Sequence, residues 1–261
     1  MLVDSHCHLD MIAEREDLDA VVARARDAGV GTMVTISTKL SNFDGVRAVA
    51  ERYADVWCTV GVHPHEAGSE GQGTPARVVE LAAHPRVVGI GESGLDYHYD
   101  FSPRDAQRES FRAHIRAAQE TGLPLVVHAR EADAETAEIL REEYERGGPY
   151  GCVMHCFSSG AGLARAALDL GFYISFSGIV TFKKSEELRE IARATPRERL
   201  LIETDAPYLA PTPKRGKPNE PGYVAHTADS LAETLGLSRA DLEAVTTENF
   251  FRLFARATPP A

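Results

Sequence analysis

Short β-branched or apolar runs alternate with longer amphipathic runs rich in Ala, Glu and Arg, and the alternation continues along the chain without a break in composition. The apolar runs predict eight strands: Leu2 to His6, Gly31 to Ser37, Val56 to Val62, Val87 to Glu92, Pro124 to His128, Gly151 to His155, Phe172 to Ser175 and Leu200 to Thr204. The intervening pattern predicts helices over Glu14 to Ala28, Phe43 to Tyr53, Pro75 to Ala83, Pro103 to Thr121, Ala134 to Glu145, Gly162 to Leu170 and Ser185 to Ala194. A final helical region, His226 to Phe254, breaks near Gly236 and restarts with Ser238 as N-cap. Repeated βα units with eight strands predict an α/β fold, the (β/α)8 TIM barrel. At 261 residues the chain has the size of one such barrel, so residues 1–261 are expected to form a single domain.

Ala206 to Tyr223 breaks the rhythm. It holds Pro207, Pro211, Pro213, Pro218 and Pro221, which forbid a regular helix or central strand and predict a rigid, extended loop after the last strand. That is the end of a barrel where chemistry resides.

The ionisable residues gather at the same end. In a strand, residues two apart share a face, so His6 and His8 of Asp4-Ser5-His6-Cys7-His8 point one way, with Ser5 and Cys7 pointing the other. Strand three ends in Gly61-Val62-His63-Pro64-His65, strand four in Gly91-Glu92, strand five in His128, strand six in His155 and strand eight in Glu203-Thr204-Asp205. Closing the barrel brings these ends into one ring, which gathers six of the ten histidines. Three or four imidazoles with one or two carboxylates suit Zn²⁺, Mn²⁺ or Fe²⁺, whereas a mostly oxygen site suits Mg²⁺ or Ca²⁺. His6, His8, Glu92, His128, His155 and Asp205 exceed the needs of one four-coordinate ion. They predict two divalent ions, Zn²⁺, Mn²⁺ or Mg²⁺, in a hydrolytic centre. Glu92, read as the only carboxylate ending strand four, is the expected bridge between them. His6, His8 and Asp205 complete one ion, and His128 with His155 the other. Asp205 is also placed to take a proton from an attacking water, which makes it the catalytic candidate.

Around this set, Asp4 and Glu203 are expected one layer deeper on the inward face, as partners that orient ligands or as unrelated buried hydrogen bonds. Cys7 and Cys156 are expected to face away from the ions as small apolar packing. His65, Tyr97 and His98 share the rim as candidates for substrate contact. Arg130 and the loop cations Lys214, Arg215 and Lys217 are candidates for phosphate, with a solvated surface cluster as the alternative.

Composition narrows the partners. The formal net charge of −11 argues against a long electrostatic grip on a polyanion, so any phosphate recognition is expected to be local to the ions. A mean hydropathy of −0.24 and the absence of any 18-residue apolar run predict no membrane span. The first predicted strand begins almost at Met1, and no signal peptide is expected. Cys7, Cys58, Cys152 and Cys156 form no CxxC motif, and the expectation is reduced cysteines in a cytoplasmic protein with no evident obligate protein partner.

Seven segments resemble the TatD family of metal-dependent hydrolases and deoxyribonucleases. They are Asp4-Ser5-His6-Cys7-His8-Leu9-Asp10, Gly61-Val62-His63-Pro64-His65, Gly91 to Tyr97, His155-Cys156-Phe157-Ser158, Ser175-Phe176-Ser177-Gly178, Glu203 to Pro211 and Asn219-Glu220-Pro221. The resemblance implies a barrel of the amidohydrolase type and DNA phosphodiester cleavage of the 3′–5′ exonuclease kind, acting on DNA or an oligonucleotide at a strand end. It places the family's ligands on the six residues above and His63 at the substrate phosphate. Ser93 and Ser159 depart from the family pattern, which bears on substrate fit. Two other functions use the same residues: an amidohydrolase acting on a small amide, lactone or ester, and a non-catalytic binding protein stabilised by metal. Many amidohydrolases bridge their ions with a modified lysine where this chain has Glu92, and a ring of ligands open at a barrel mouth is unlike a closed structural site.

Overall fold

The computed structural model describes residues 1–70 and 75–260. Eight parallel strands pair in chain order: β1 (Leu2–Cys7), β2 (Val30–Thr35), β3 (Val56–Val60), β4 (Val87–Asp96), β5 (Leu125–Arg130), β6 (Cys152–Met154), β7 (Tyr173–Phe176) and β8 (Leu200–Ile202). Around them lie α1 (Leu9–Ala13), α2 (Leu18–Asp27), α3 (Phe43–Arg52), α4 (Pro75–Ala82), α5 (Arg104–Thr121), α6 (Asp133–Gly147), α7 (Ala161–Asp169), α8 (Glu186–Ala194), α9 (Val224–Leu235) and α10 (Arg239–Leu253). The fold is the expected (β/α)8 barrel. Among the described residues no helix is long and apolar enough to cross a membrane.

One predicted helix is wrong in its limits. The helix expected from Glu14 starts instead at Leu18: Glu14 to Asp17 are an exposed, charged stretch, and the short α1, which the pattern did not predict, ends before it at Ala13. The reason is local, because Asp17 accepts the N–H of Asp19 and caps α2, so the chain breaks where it carries no apolar residue to bury. The predicted break in the last helical region is present. Gly236 takes the left-handed conformation that ends α9, and the Ser238 hydroxyl accepts the N–H of Asp241 to start α10.

Neighbouring residues of each strand face opposite sides, which gives two cores. Leu2, Met33, Val56, Val87, Leu125, Cys152, Ile174 and Leu200 pack outward against the helices. Val3, Val34, Trp57, Val88, Val126, Val153, Tyr173 and Leu201 fill the interior, closed at one end by Phe250 and Phe254. The chemistry therefore lies at the other end.

The seam between β1 and β8 is closed by side chains as well as backbone. Asp4 accepts the N–H of Thr204 at 2.9 Å and its hydroxyl at 2.6 Å, Ser5 donates to the carbonyl of Ile202, and Asp205 donates its N–H to the carbonyl of His6. Asp4 is thus a clasp of the barrel, the second of the two roles expected for it, a buried hydrogen bond in place of an orienting contact to a ligand side chain. Burial pushes its carboxyl up to about 8, against the opposing pull of the Thr204 bonds.

Two register shifts adjust the mouth. Between Asp4 and Cys7, β1 uses one more residue than β2, and between Ile90 and Ser93, β4 uses one more than β5. Extra residues of this kind re-aim the side chains beside them. In β1 the shift turns Ser5 toward Ser175 in the interior, correcting the strict alternation that set Ser5 with Cys7. In β4 it falls at Gly91, where φ is +126° and a β-carbon would stand 2.6 Å from the Val126 carbonyl, so only glycine fits. Beyond it the strand continues to Asp96.

Candidate metal centre

The residues predicted at strand ends do converge. His6 lies one residue before the end of β1 and His8 just after it; His63 follows β3; Glu92 lies on β4 and His128 on β5; His155 follows β6 and Asp205 follows β8. Except for His6, which sits deeper, they line a cavity of about 1340 Å³ at the barrel mouth. Asp205 is held in the left-handed region at φ +58°, a conformation that Asp tolerates better than most residues. Asn219 pins the Pro-rich loop over it, donating to the carbonyls of Thr204 and Tyr208 at 2.9 and 2.5 Å.

Glu92 stands at the centre with its two oxygens divided. Oε2 lies 3.3 Å from His6 Nε2 and 4.0 Å from His8 Nε2. Oε1 lies 2.7 Å from His155 Nε2, 3.0 Å from His128 Nδ1 and 3.4 Å from His63 Nε2. Asp205 Oδ1 completes the first side, 3.5 Å from His8 Nε2 and 3.6 Å from His6 Nε2. Among the described residues three groups have ligand atoms close enough to share an ion: His6 with His8 and Asp205; His63 with Glu92 and His128; and His6 with His155 and Glu203.

Whether the residues fit an ion can be tested on their unmet hydrogen bonds. Among the described residues, Nε2 of His6 and of His155 are buried without a hydrogen-bond partner, and the contact of His155 with Glu92 is short but misaligned. Buried polar nitrogens are costly when left unsatisfied. A cation between these rings and the two carboxylates would satisfy them, so the donor set fits a divalent metal.

Electrostatics agree. Burial raises the Glu92 carboxyl, but His155, His63 and His6 outweigh it and hold the group well below its ordinary range. Burial likewise works against the Asp205 carboxylate, and the hydrogen bond from His8 with the charges of His6 and His155 brings it down. Burial lowers His6 and lowers His63 to about 4. Burial also opposes charge on His155, yet Glu92 and Glu203 pull its pKa well up.

Two carboxylates serve the histidines from behind. Glu203 Oε1 meets His155 Nδ1 at 3.1 Å and accepts the N–H of Cys156 at 2.8 Å, which answers the question left open for it. Asp96 was missed. Its Oδ2 lies 3.0 Å from His128 Nε2 and 2.8 Å from His65 Nε2, while its Oδ1 accepts the N–H groups of His98 and Tyr99. Glu92 is therefore not the only carboxylate of β4 in the site. The signal was the spacing, since 92, 94 and 96 share one face, but it is read only once the strand is known to run past Glu92.

The remaining candidates divide. Cys7 turns away and donates to the Val34 carbonyl, but Cys156 lines the cavity: β6 ends at Met154, so strand alternation no longer governs it. Tyr97 donates to Glu135 and His98 pairs with Glu131, and neither lines the cavity. Lys214 and Arg215 lie over the rings of Tyr223 and Phe182, outside the cavity lining. Arg130 and His65 line it, as does Ser159, whereas Ser93 is buried.

Comparison with known proteins matches residues 3–255 to the family described as TatD related DNase. The uncharacterized metal-dependent hydrolase YcfH of Escherichia coli (strain K12) is 44% identical, over 97% of this chain and 95% of its own. The 3′-5′ ssDNA/RNA exonuclease TatD of Cronobacter turicensis is 39% identical over 94% of each chain. The crystal structure of YJJV, a TatD homologue from Escherichia coli, superposes with a TM-score of 0.90 at 28% identity, covering 97% of this chain and 98% of that one.

Proposed function

The chain belongs to the TatD-related DNase family of metal-dependent hydrolases, and from that premise we propose that it removes nucleotides from the end of a single-stranded DNA, in the 3′–5′ sense, with two divalent ions. The observation that carries the reading is the division of Glu92, with one oxygen toward His6 and His8 and the other toward His63, His128 and His155. A carboxylate so placed suits a bridge between two ions. His6, His8 and Asp205 would hold one and His128 with His155 the other, with Zn²⁺, Mn²⁺ and Mg²⁺ as candidates.

Such ions supply Lewis acidity toward a phosphoryl oxygen and acidify a water molecule. The protein does the rest. Asp205 stays ionised despite burial, so it can accept the proton of the attacking water and return it to the leaving oxygen. His63, neutral at physiological pH because burial lowers it to about 4, offers a ring N–H to a phosphate oxygen without needing charge. Glu203 fixes the ring of His155, and Asp96 that of His128. The unpaired cysteines, three of them buried, are consistent with a reducing, cytoplasmic setting.

The deciding assay is turnover of single-stranded oligonucleotides with Mn²⁺ or Mg²⁺. Activity abolished by EDTA, and reduced by orders of magnitude in Asp205→Asn with its metal retained, supports the reading. Brisk hydrolysis of an ester or lactone panel without oligonucleotide cleavage removes the nucleic-acid substrate and favours the small-molecule alternative.

A further inference from the structure

The loop after β4 carries two exposed rings that the hydrolytic centre does not use. Tyr99 and Phe101 stack on each other with centroids 5.2 Å apart and planes 18° apart, and they remain 46% and 68% exposed. Aromatic side chains left in water are nevertheless held in place here. The N–H of Tyr99 donates to Asp96 Oδ1, the Arg130 guanidinium lies 4.8 Å over the Tyr99 ring, and the His65 ring meets both, 5.4 Å from Tyr99 and 4.8 Å from Phe101. Ser102 donates to the His65 carbonyl and fixes the far end of the turn.

The stack is also tied to the metal cluster. One carboxylate, Asp96, positions Tyr99 through Oδ1 and faces His128 through Oδ2, and His65 lies between Phe101 and His63, 4.3 Å from the latter. Both rings line the cavity that holds Glu92 and Asp205. A group bound flat on the stack would share that cavity with the metal cluster.

The chemistry selects the occupant. The chain is strongly acidic, so electrostatic attraction cannot supply most of the grip on a polyanion. Base stacking on aromatic rings does not need net charge, and every base offers a π-face. A cation beside the stack, here Arg130, adds to this.

On the reading that this site cleaves nucleic acid, we propose that Tyr99 and Phe101, steadied by Arg130, form a platform for the base next to the scissile phosphate. The base must be unstacked from its neighbours to lie there, which selects single strands and frayed ends over duplex.

The test uses two oligonucleotides that differ only in having, or lacking, bases on the last two residues at each end. The metal-loaded enzyme should show a KM roughly tenfold to a hundredfold lower for the base-bearing strand, in line with the value of one stacked base. Tyr99→Ala/Phe101→Ala should erase most of that preference by raising KM far more than it lowers kcat, and Phe101→Trp should keep it. A wild-type enzyme indifferent to the missing bases, or a double variant that still discriminates, overturns the platform while leaving the nuclease reading intact. Failure of the wild type to cleave either strand overturns both.

Discussion

Two buried carboxylates, Glu92 at the barrel mouth and Glu143 in the helical layer, are 2% and 1% exposed, and both are held below the ordinary carboxylate range. Their partners differ in kind. Glu143 on α6 receives Arg112 at 2.9 Å, Arg116 at 3.2 Å and Arg146 at 2.9 Å. Guanidinium charge is permanent and its N–H groups point at the oxygens, so burial is offset and the cluster is complete. Glu92 is ringed by histidines whose charge is conditional. Burial and mutual repulsion push His6 down, while the carboxylates pull His155 up, and ring nitrogens of both lack hydrogen-bond partners. The first cluster is satisfied by the chain itself, whereas the second leaves buried ring nitrogens unmet that a cation would satisfy.

The sharpest way to break this comparison is Glu92→Gln. It should cut turnover by at least about a thousandfold and reduce bound metal measured by mass spectrometry, while the circular dichroism spectrum stays native. Retention of both ions at normal turnover would remove Glu92 as the bridge.

Asp96→Asn comes next. It leaves every proposed ligand in place but loosens His128, and metal affinity measured by calorimetry should fall roughly tenfold to a hundredfold. Unchanged affinity would make Asp96 a partner of His65 and the Tyr99 turn alone.

The smallest effect is expected on the other side of the comparison. Glu143→Gln should leave kcat and metal content unchanged and lower stability by about 1–3 kcal/mol in urea, the partly exposed arginines being able to rehydrate. The sign with pH follows from the lowered folded-state pKa. The contribution of Glu143 is present above the unfolded value near 4.5 and is lost as pH falls through the depressed folded value. The stability difference between wild type and variant should therefore shrink on acidification below about pH 4.5, and a difference that widened there would contradict the assignment.

All eight strands are recognisable in the sequence because each is a compact apolar run bounded by turn residues, and six ring residues are recognisable because a parallel barrel aligns strand ends. The break between α1 and α2 was hidden inside a stretch with helical composition, where a single capping aspartate outweighed propensity. Asp96 escaped for a different reason. Nothing within Gly91 to Tyr97 marks where the strand stops, and the residue becomes a site residue only because β4 stays paired with β5 as far as Arg130.

What the sequence determined by itself is the alternation of elements, the break at Gly236, the proline-rich loop and the placement of His6, His8, His63, Glu92, His128, His155 and Asp205 at or near the strand ends. These follow from local periodicity and from residue chemistry, which a linear chain already displays. Only the tertiary structure decided the aim of each group. The register shifts in β1 and β4, the Asp4 clasp on Thr204, the pairing of Glu203 with His155 and the exposed stack of Tyr99 on Phe101 all depend on pairing or packing that no single segment encodes. A bulge is a mismatch between two strands, and it exists only when both are present.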